Sequence, residues 1–327
     1  MVPAALLDEV LRPFVPHLTE VAREIRHWVG DPGPLLAPAV ERLVPAGSSG
    51  KQLRPVLALV CAGRRLPPAA VRSGAMVELL HVATLFHDDV IDGALERRGR
   101  PTANAELGVP AAIMAGDYLL ARASALAADL GRDVAWQAAE AVTSVCKGQA
   151  EEMLAVAVGG RTEEQYLASV AGKTGALTAL ACWLGTRCAG LDEQGLARAH
   201  AAGLHFGVAY QVVDDLLDLC GPEVELGHPC GTDLSLGVET LAIIRGREMI
   251  DAASGRAPVS WADRAAALAG RLDAGGVLDA TRATAVEELQ RSRELARGLP
   301  GERGLDSLSR WLVARADAAL ASVRTAA

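Results

Sequence analysis

The sequence predicts an all-α protein, and three observations carry that expectation. No run of strict period-2 alternation is long enough to make a sheet. Half of the 327 residues are apolar while only 3% are aromatic, and the apolar share is dominated by Ala and Leu, which suit packed helices. Long helical stretches are punctuated by Gly and Pro rather than by hairpin turns. A single domain spanning residues 1–327, a helical bundle around a central cavity, is the architecture expected.

In order, residues 4–28 read as a first amphipathic helix and the Gly/Pro-rich segment 30–50 as a connector. Residues 52–64 form a helix whose entry carries Lys51, Arg54 and Pro55, the proline suiting a first turn. A long helix follows from about 68 to 95, then helices near 109–129, 132–157 and 163–188, with Gly131 and Gly159-Gly160 as breaks. Residues 193–219 make another long helix and 221–237 a loop. Three or four further helices, broken near Pro258 and Pro300, complete the chain.

The formal charge of −8 argues against nucleic acid or an anionic membrane surface as a general partner, since both need a basic face. No apolar run is expected to reach the ~18–20 residues of a spanning helix, and the N-terminus lacks the basic start of a signal peptide, so a cytoplasmic protein is expected. Six cysteines without a Cys-x-x-Cys pair suggest neither a zinc site nor a disulfide frame, and buried thiols are expected.

The chemistry is concentrated in two acidic motifs. His81 to Asp92 contains Asp88-Asp89-Val90-Ile91-Asp92, in which Asp88 and Asp92 share a helix face and Asp89 turns aside. Tyr210 to Asp218 repeats the pattern with Asp214, Asp215 and Asp218. Either motif alone fits a solvated acidic face. Both sit in apolar frames, however, and buried charge needs a partner. Opposite walls of one metal-filled cavity explain the pair better than two surfaces. Clustered carboxylates are the hard-oxygen ligands Mg2+ prefers, and Mg2+ held by few carboxylates is usually completed by substrate phosphates. Cations for a phosphate stand at Lys51 and Arg54, at Arg97, Arg98 and Arg100, and at Lys173-Thr174. Gly172-Lys173-Thr174 is no P-loop, because the required earlier glycine is Leu167 and the surroundings are helical.

Taken together and in order, Gly-Lys-Gln-Leu-Arg-Pro at 50–55, Glu78-Leu79-Leu80-His81, the first Asp motif with its Arg-Arg-Gly, Gly116 to Ala123, Lys173-Thr174-Gly175 and the Gln-x-x-Asp-Asp-x-x-Asp of 211–218 resemble the trans-type isoprenyl (polyprenyl) diphosphate synthase family. The resemblance runs from about Lys51 to the C-terminal helices. It implies a Mg2+-dependent prenyltransferase of the isoprenoid-synthase fold, joining isopentenyl diphosphate to an allylic diphosphate, with about three Mg2+ ions and a homodimeric assembly. On this resemblance Asp88, Asp92 and Asp214 hold the metal, with Asp89, Asp215 and Asp218 completing the shells. Arg97, Lys173, Thr174 and Gln211 contact the allylic diphosphate, and Lys51, Arg54, His81 and Arg98 hold isopentenyl diphosphate. Leu80, Ala83 and Thr84, below the first Asp motif, set the chain length. Small residues there resemble medium- and long-chain synthases. A terpene cyclase on the same frame or a non-catalytic subunit of a heteromeric synthase are the rival readings. The family's later loop carries two lysines, whereas His228 and Val238 stand in their places here. The loss of a charge-assisted phosphate contact weakens binding by ~1.5–3 kcal/mol if nothing replaces it.

Overall fold

The computed structural model describes residues 3–43, 52–64, 66–97, 99–221, 230–251 and 261–326. The described chain is helical almost throughout. The expected first helix is in fact two, α1 (Pro3–Leu11) and α2 (Val15–Val29), separated by a 3-10 turn at Arg12–Phe14. Pro13 supplies no backbone donor and breaks the α ladder there. Part of the expected 30–50 connector is a third helix, α3 (Gly33–Leu43), in which Pro38 lies inside the helix.

The body begins with α4 (Leu53–Ala62) and α5 (Pro68–Ile91). Pro67 is extended and Pro68 opens α5, the position where a missing N–H costs nothing. The helix ends earlier than 95, because Gly93 turns the chain at φ 60°. A two-residue antiparallel hairpin follows, β1 (Glu96–Arg97) and β2 (Arg100–Pro101), too short for any alternation to announce it. A short α6 (Ala103–Leu107) leads to α7 (Val109–Leu130) and α8 (Arg132–Val158).

The expected helix 163–188 is α9 (Glu163–Val170) and α10 (Ala176–Cys188), joined by a π-helical turn at Ala171–Gly175. The capping box of Thr162 and Gln165 starts α9. The Asp192 side chain, accepting from the Gly195 amide at 2.9 Å, starts α11 (Glu193–Cys220). Within the expected 221–237 loop lies α12 (Thr232–Leu236), and then α13 (Leu241–Arg245), α14 (Arg247–Asp251), α15 (Trp261–Ala274), α16 (Val277–Ala296) and α17 (Glu302–Ala326).

One apolar core runs through the bundle and includes Leu57, Met76, Leu80, Phe86, Leu180, Phe206, Val212, Leu216 and Trp311. Helix α11 is its axis, packed against α10, α16 and α17, while α4 packs on α5 and α10 and α5 lies along α7. The approach of α10 to α11 needs glycine: a Cβ on Gly203 would lie 2.6 Å from the Thr178 carbonyl, and one on Gly207 would lie 2.7 Å from Gly175 Cα.

The expectation that no segment is long and apolar enough to span a membrane fails. Three helical stretches meet that measure: Pro68–Ile91, Val109–Leu130 and Glu163–Cys188. In the first and third, 72% of the apolar window is buried inside the protein, so core packing accounts for their composition. Of the six free cysteines, Cys61, Cys182 and Cys220 are buried as expected, Cys188 and Cys230 are partly buried and Cys146 is exposed.

Candidate active site

Both acidic motifs lie toward the C-terminal ends of their helices, α5 and α11. Asp88 lies in the last turn of α5 and Asp92 caps it, the Asp92 amide bonding to the Asp88 carbonyl at 2.8 Å. Burial raises the Asp88 carboxyl above the ordinary range and Asp92 raises it further, while Lys173 and Arg97 oppose the rise. Asp92 is raised as well, again by burial first, with Glu152 adding to it. In the second motif, Asp214 on α11 faces Arg315 of α17, whose Nη1 and Nη2 donate to Asp214 Oδ1 at 3.4 and 3.3 Å. Arg54 of α4 senses both motifs: burial lowers its pKa, and the charges of Glu78, Tyr210, Asp88 and Asp214 raise it. One cation within electrostatic reach of both Asp88 and Asp214 shows that the fold brings the two motifs near each other.

Lys173, Thr174 and Gln211, the residues expected on an allylic diphosphate, assemble around the π-helical turn. Lys173 Nζ donates to Glu152 Oε1 at 2.7 Å. Burial pulls the Lys173 pKa down, but Glu152, Asp88 and Asp92 more than offset it, so the ammonium is held charged. Thr174 Oγ1 donates to Gln211 Oε1 at 2.7 Å, and Gln211 Nε2 donates to Asp215 Oδ1 at 2.8 Å. The other Asp215 oxygen accepts from the buried Tyr166 hydroxyl at 2.5 Å. Burial drives Asp215 up to about 7 in spite of those bonds.

Several assigned residues are therefore placed otherwise than expected. Arg97, expected on a diphosphate, is bonded through Nε to Asp89 Oδ1 at 2.7 Å, because the β1–β2 hairpin folds back on α5. Asp89 is 2% exposed and tied into the hairpin, its carbonyl accepting from the Ala94 amide at 3.0 Å. Asp218 is not free: its two oxygens accept from the Thr232 and Asp233 amides at 3.2 and 3.0 Å, capping α12. Leu80 and Ala83 are each 1% exposed in the core and Thr84 is half-buried, its hydroxyl donating to the His81 carbonyl at 2.7 Å. His81 is half-buried on α5. Lys51, Arg98 and His228 lie outside the described residues. Val238 is described, and its amide bonds to the Asp233 carbonyl at 2.9 Å, so no cation stands at that position.

Other members carried no sequence motif. Glu152 holds Lys173 from α8, and Arg315 reaches Asp214 from a helix a hundred residues away while its guanidinium lies over the Trp311 ring at 5.2 Å. Tyr166 and Asp233 bracket Asp215, and burial together with Asp215 and Asp218 pushes Asp233 far up. Gln52, before α4, is 7% exposed and takes a left-handed φ of 41°, the one non-glycine to do so among the described residues. The π turn itself, over Ala171–Gly175, signals a functional position that helical periodicity cannot show.

No three metal-ligating side chains converge as a preformed cage among the described residues. The donor set nevertheless suits a hard divalent cation: burial raises the proton affinity of both Asp88 and Asp92, and a neighbouring carboxylate adds to each, Asp92 to Asp88 and Glu152 to Asp92, a strain that a bound 2+ ion would relieve. Suitability for a phosphate shows in Arg54, whose Nε is buried with no partner.

Residues 34–257 match the polyprenyl synthetase family. The chain is 37% identical over 200 residues to the nonaprenyl diphosphate synthase of Mycobacterium tuberculosis, covering 60% of each protein. It is 36% identical to heptaprenyl diphosphate synthase component 2 of Geobacillus stearothermophilus over 69% of this chain and 71% of that one. Among solved structures, a polyprenyl synthase from Caulobacter crescentus, complexed with calcium and isoprenyl diphosphate, superposes with a TM-score of 0.83 at 27% identity, covering 94% of this chain and 97% of the other.

Proposed function

The chain belongs to the polyprenyl synthetase family, and on that footing we propose that it is a prenyl diphosphate synthase that condenses isopentenyl diphosphate with an allylic diphosphate into a trans-polyprenyl diphosphate of medium or long chain. The observation that carries this is the approach of the two acidic motifs, Asp88 on α5 and Asp214 on α11 both lying within electrostatic reach of the buried Arg54. Asp88, Asp92 and Asp214 would hold Mg2+, which when bound neutralises the leaving diphosphate. Lys173, Thr174 and Gln211 grip the allylic diphosphate and stabilise charge as the C–O bond breaks. Arg54, with Lys51, His81 and Arg98, holds isopentenyl diphosphate so that its double bond attacks the allylic carbon. A new C–C bond forms and a proton passes to the released diphosphate. The apolar packing of α5 and α11 excludes water from the cationic carbon.

The length assignment rests on relatives named for heptaprenyl and nonaprenyl products and on Ala83, which presents no bulk below Asp88. Exposed Ile113 and Met114 on α7 and Trp136 on α8 favour an assembly, and a homodimer is the form proposed. The relative named as a component 2 motivates a second form, in which an unlike subunit covers that face. Native mass spectrometry separates the two, since a homodimer forms from this chain alone. The activity is tested by incubating the purified protein with labelled isopentenyl diphosphate, Mg2+ and each allylic starter. Label in an extended prenyl chain is expected, and a cyclised, label-free product would overturn the reading.

A further inference from the structure

Lys173 is the residue that grips the allylic diphosphate on the reading above, yet here its Nζ is bound to Glu152 Oε1 at 2.7 Å. Turning toward a phosphate would strand the Glu152 carboxylate beside Asp88, Asp92, Asp215 and Asp233, all of which are already raised in proton affinity. A second cation waits on the other side of the same group. Arg161 Nη1 lies 4.0 Å from Glu152 Oε2.

Arg161 is an odd residue to bury. It comes from the turn between α8 and α9 and is only 3% exposed. Its Nη2 reaches the Gln165 carbonyl at 3.5 Å and its guanidinium lies over the Tyr166 ring at 5.2 Å, both loose contacts for a group with five donors. A buried guanidinium is costly unless closely paired. Its backbone is nevertheless pinned on both sides. The Arg161 amide donates to Glu239 Oε2 at 2.8 Å, while Arg247 Nη2 donates to the Arg161 carbonyl and to Glu239 Oε1, each at 3.0 Å. Glu239 belongs to the loop in which Val238 stands where a lysine is expected. That loop therefore fixes a different cation close to the site.

We propose that Arg161 is a positioning residue for the allylic diphosphate: it takes over the Glu152 carboxylate as Lys173 turns to the phosphate. The gap of 4.0 Å exceeds a charge-assisted bond of about 2.8 Å by little more than 1 Å, within reach of a side-chain rotation without backbone movement. The carboxylate then stays paired, and the Lys173 charge is released to the substrate at low cost. With no lysine at Val238, the chain leans more heavily on Lys173, and this arrangement makes that charge available.

A double-mutant cycle tests it, using Arg161→Met, Glu152→Gln and the pair, with Arg161→Lys as the charge-keeping control. Arg161→Met is expected to raise the allylic KM about tenfold, with kcat and the isopentenyl KM much less affected. Glu152→Gln removes the competitor for Lys173, so Arg161→Met should add nothing in that background, and Arg161→Lys should retain most of the affinity. Calorimetric binding of inorganic pyrophosphate with Mg2+ follows the same four proteins without relying on turnover, and thermal melts confirm that each is folded. Equal penalties for Arg161→Met in both backgrounds, or an isopentenyl KM raised as much as the allylic one, overturn the proposal. Should Arg161→Met not fold, Arg161→Gln replaces it in the same cycle. The proposal rests on the prenyltransferase reading, and the two fail differently: a wild type that extends no prenyl chain defeats that reading, whereas an active wild type with an additive cycle defeats only the role of Arg161.

Discussion

Gly148 lies where α8 crosses the π turn, and a methyl group there would sit 2.6 Å from both the Lys173 amide nitrogen and the Ser169 carbonyl oxygen. Comfortable Cβ contacts begin near 3.4 Å, so the two segments must separate by about 0.8 Å to admit Gly148→Ala, a displacement of backbone against backbone that no rotamer absorbs. Separation also stretches the 2.8 Å bond from Ser169 Oγ to the Gly148 carbonyl. Overpacking of this kind costs about 1–3 kcal/mol, which a fold of this size shows as a melting temperature lowered by a few degrees. The kinetic effect should be larger, because Lys173 and Thr174 ride on the displaced turn. A misplacement near 1 Å can cost up to about a hundredfold in rate. Steady-state kinetics with the allylic diphosphate varied are expected to show kcat/KM down about ten- to a hundredfold. The isopentenyl KM, set from α4 and α5, should stay close to wild type. Gly270→Ala is the control, since a Cβ there meets nothing within 4 Å. An unchanged kcat/KM in folded Gly148→Ala would show that α8 yields without moving Lys173, and the argument from close crossing would be wrong.

Asp88→Ala and Asp214→Ala should each lose synthesis yet remain folded, with Asp88→Ala unchanged or slightly raised in melting temperature because a like charge leaves a crowded cavity; near-normal turnover in either would remove the two-wall site. On the proposed reading protons would compete with Mg2+ at Asp88 and Asp92, whose pKa values are raised, so at limiting Mg2+ the rate should fall as pH drops and recover with added metal; a metal requirement independent of pH would contradict this. The folded protein keeps the Asp215 proton up to about 7 while the unfolded chain releases it in the usual carboxylate range, so metal-free stability is fully present below that range and lost as pH rises through about 7; Asp215→Asn should flatten this dependence in urea melts, and parallel curves would refute it. Ala83→Phe, 1% exposed below Asp88, should shorten the product, and an unchanged length distribution from an active enzyme would place the growing chain elsewhere.

What could be read from the sequence followed charge and periodicity. Asp88, Asp92 and Asp214 were visible because carboxylates in apolar helices violate the ordinary rule for burial. The long helices α5, α8 and α11 were visible because Gly and Pro punctuate them. The π turn was not, since it inserts into a helix without altering composition, and it splits the expected 163–188 helix at the very lysine that matters. Glu152, Arg161 and Arg315 escape for a different reason: none belongs to a motif, and only the fold brings each to its partner. The inactive-looking placements of Arg97 and Asp218 share a cause. Each answers a local backbone event, the hairpin turning back on α5 and the start of α12, that no side-chain pattern encodes.

The two acidic walls are not equivalent, and the difference follows from how their charges are balanced. Asp214 is offset by Arg315, a guanidinium 2% exposed and held against Trp311, so this cation cannot leave. Asp88 and Asp92 are offset chiefly by Lys173, which is shared with Glu152 and belongs to a π turn. The α11 wall is thus set in position before any substrate arrives, with its charge partly spent. The proton affinity of the α5 wall is raised, first by burial and then by neighbouring carboxylates. On the proposed reading, affinity for a divalent cation would arise mainly at Asp88 and Asp92, while Asp214 would contribute an oriented oxygen at little electrostatic gain. On the same reading the movable cation, Lys173, has its place by this asymmetry: paired with Glu152, it also lowers the proton affinity of Asp88 and Asp92, and a cation held by those carboxylates would free it for the diphosphate.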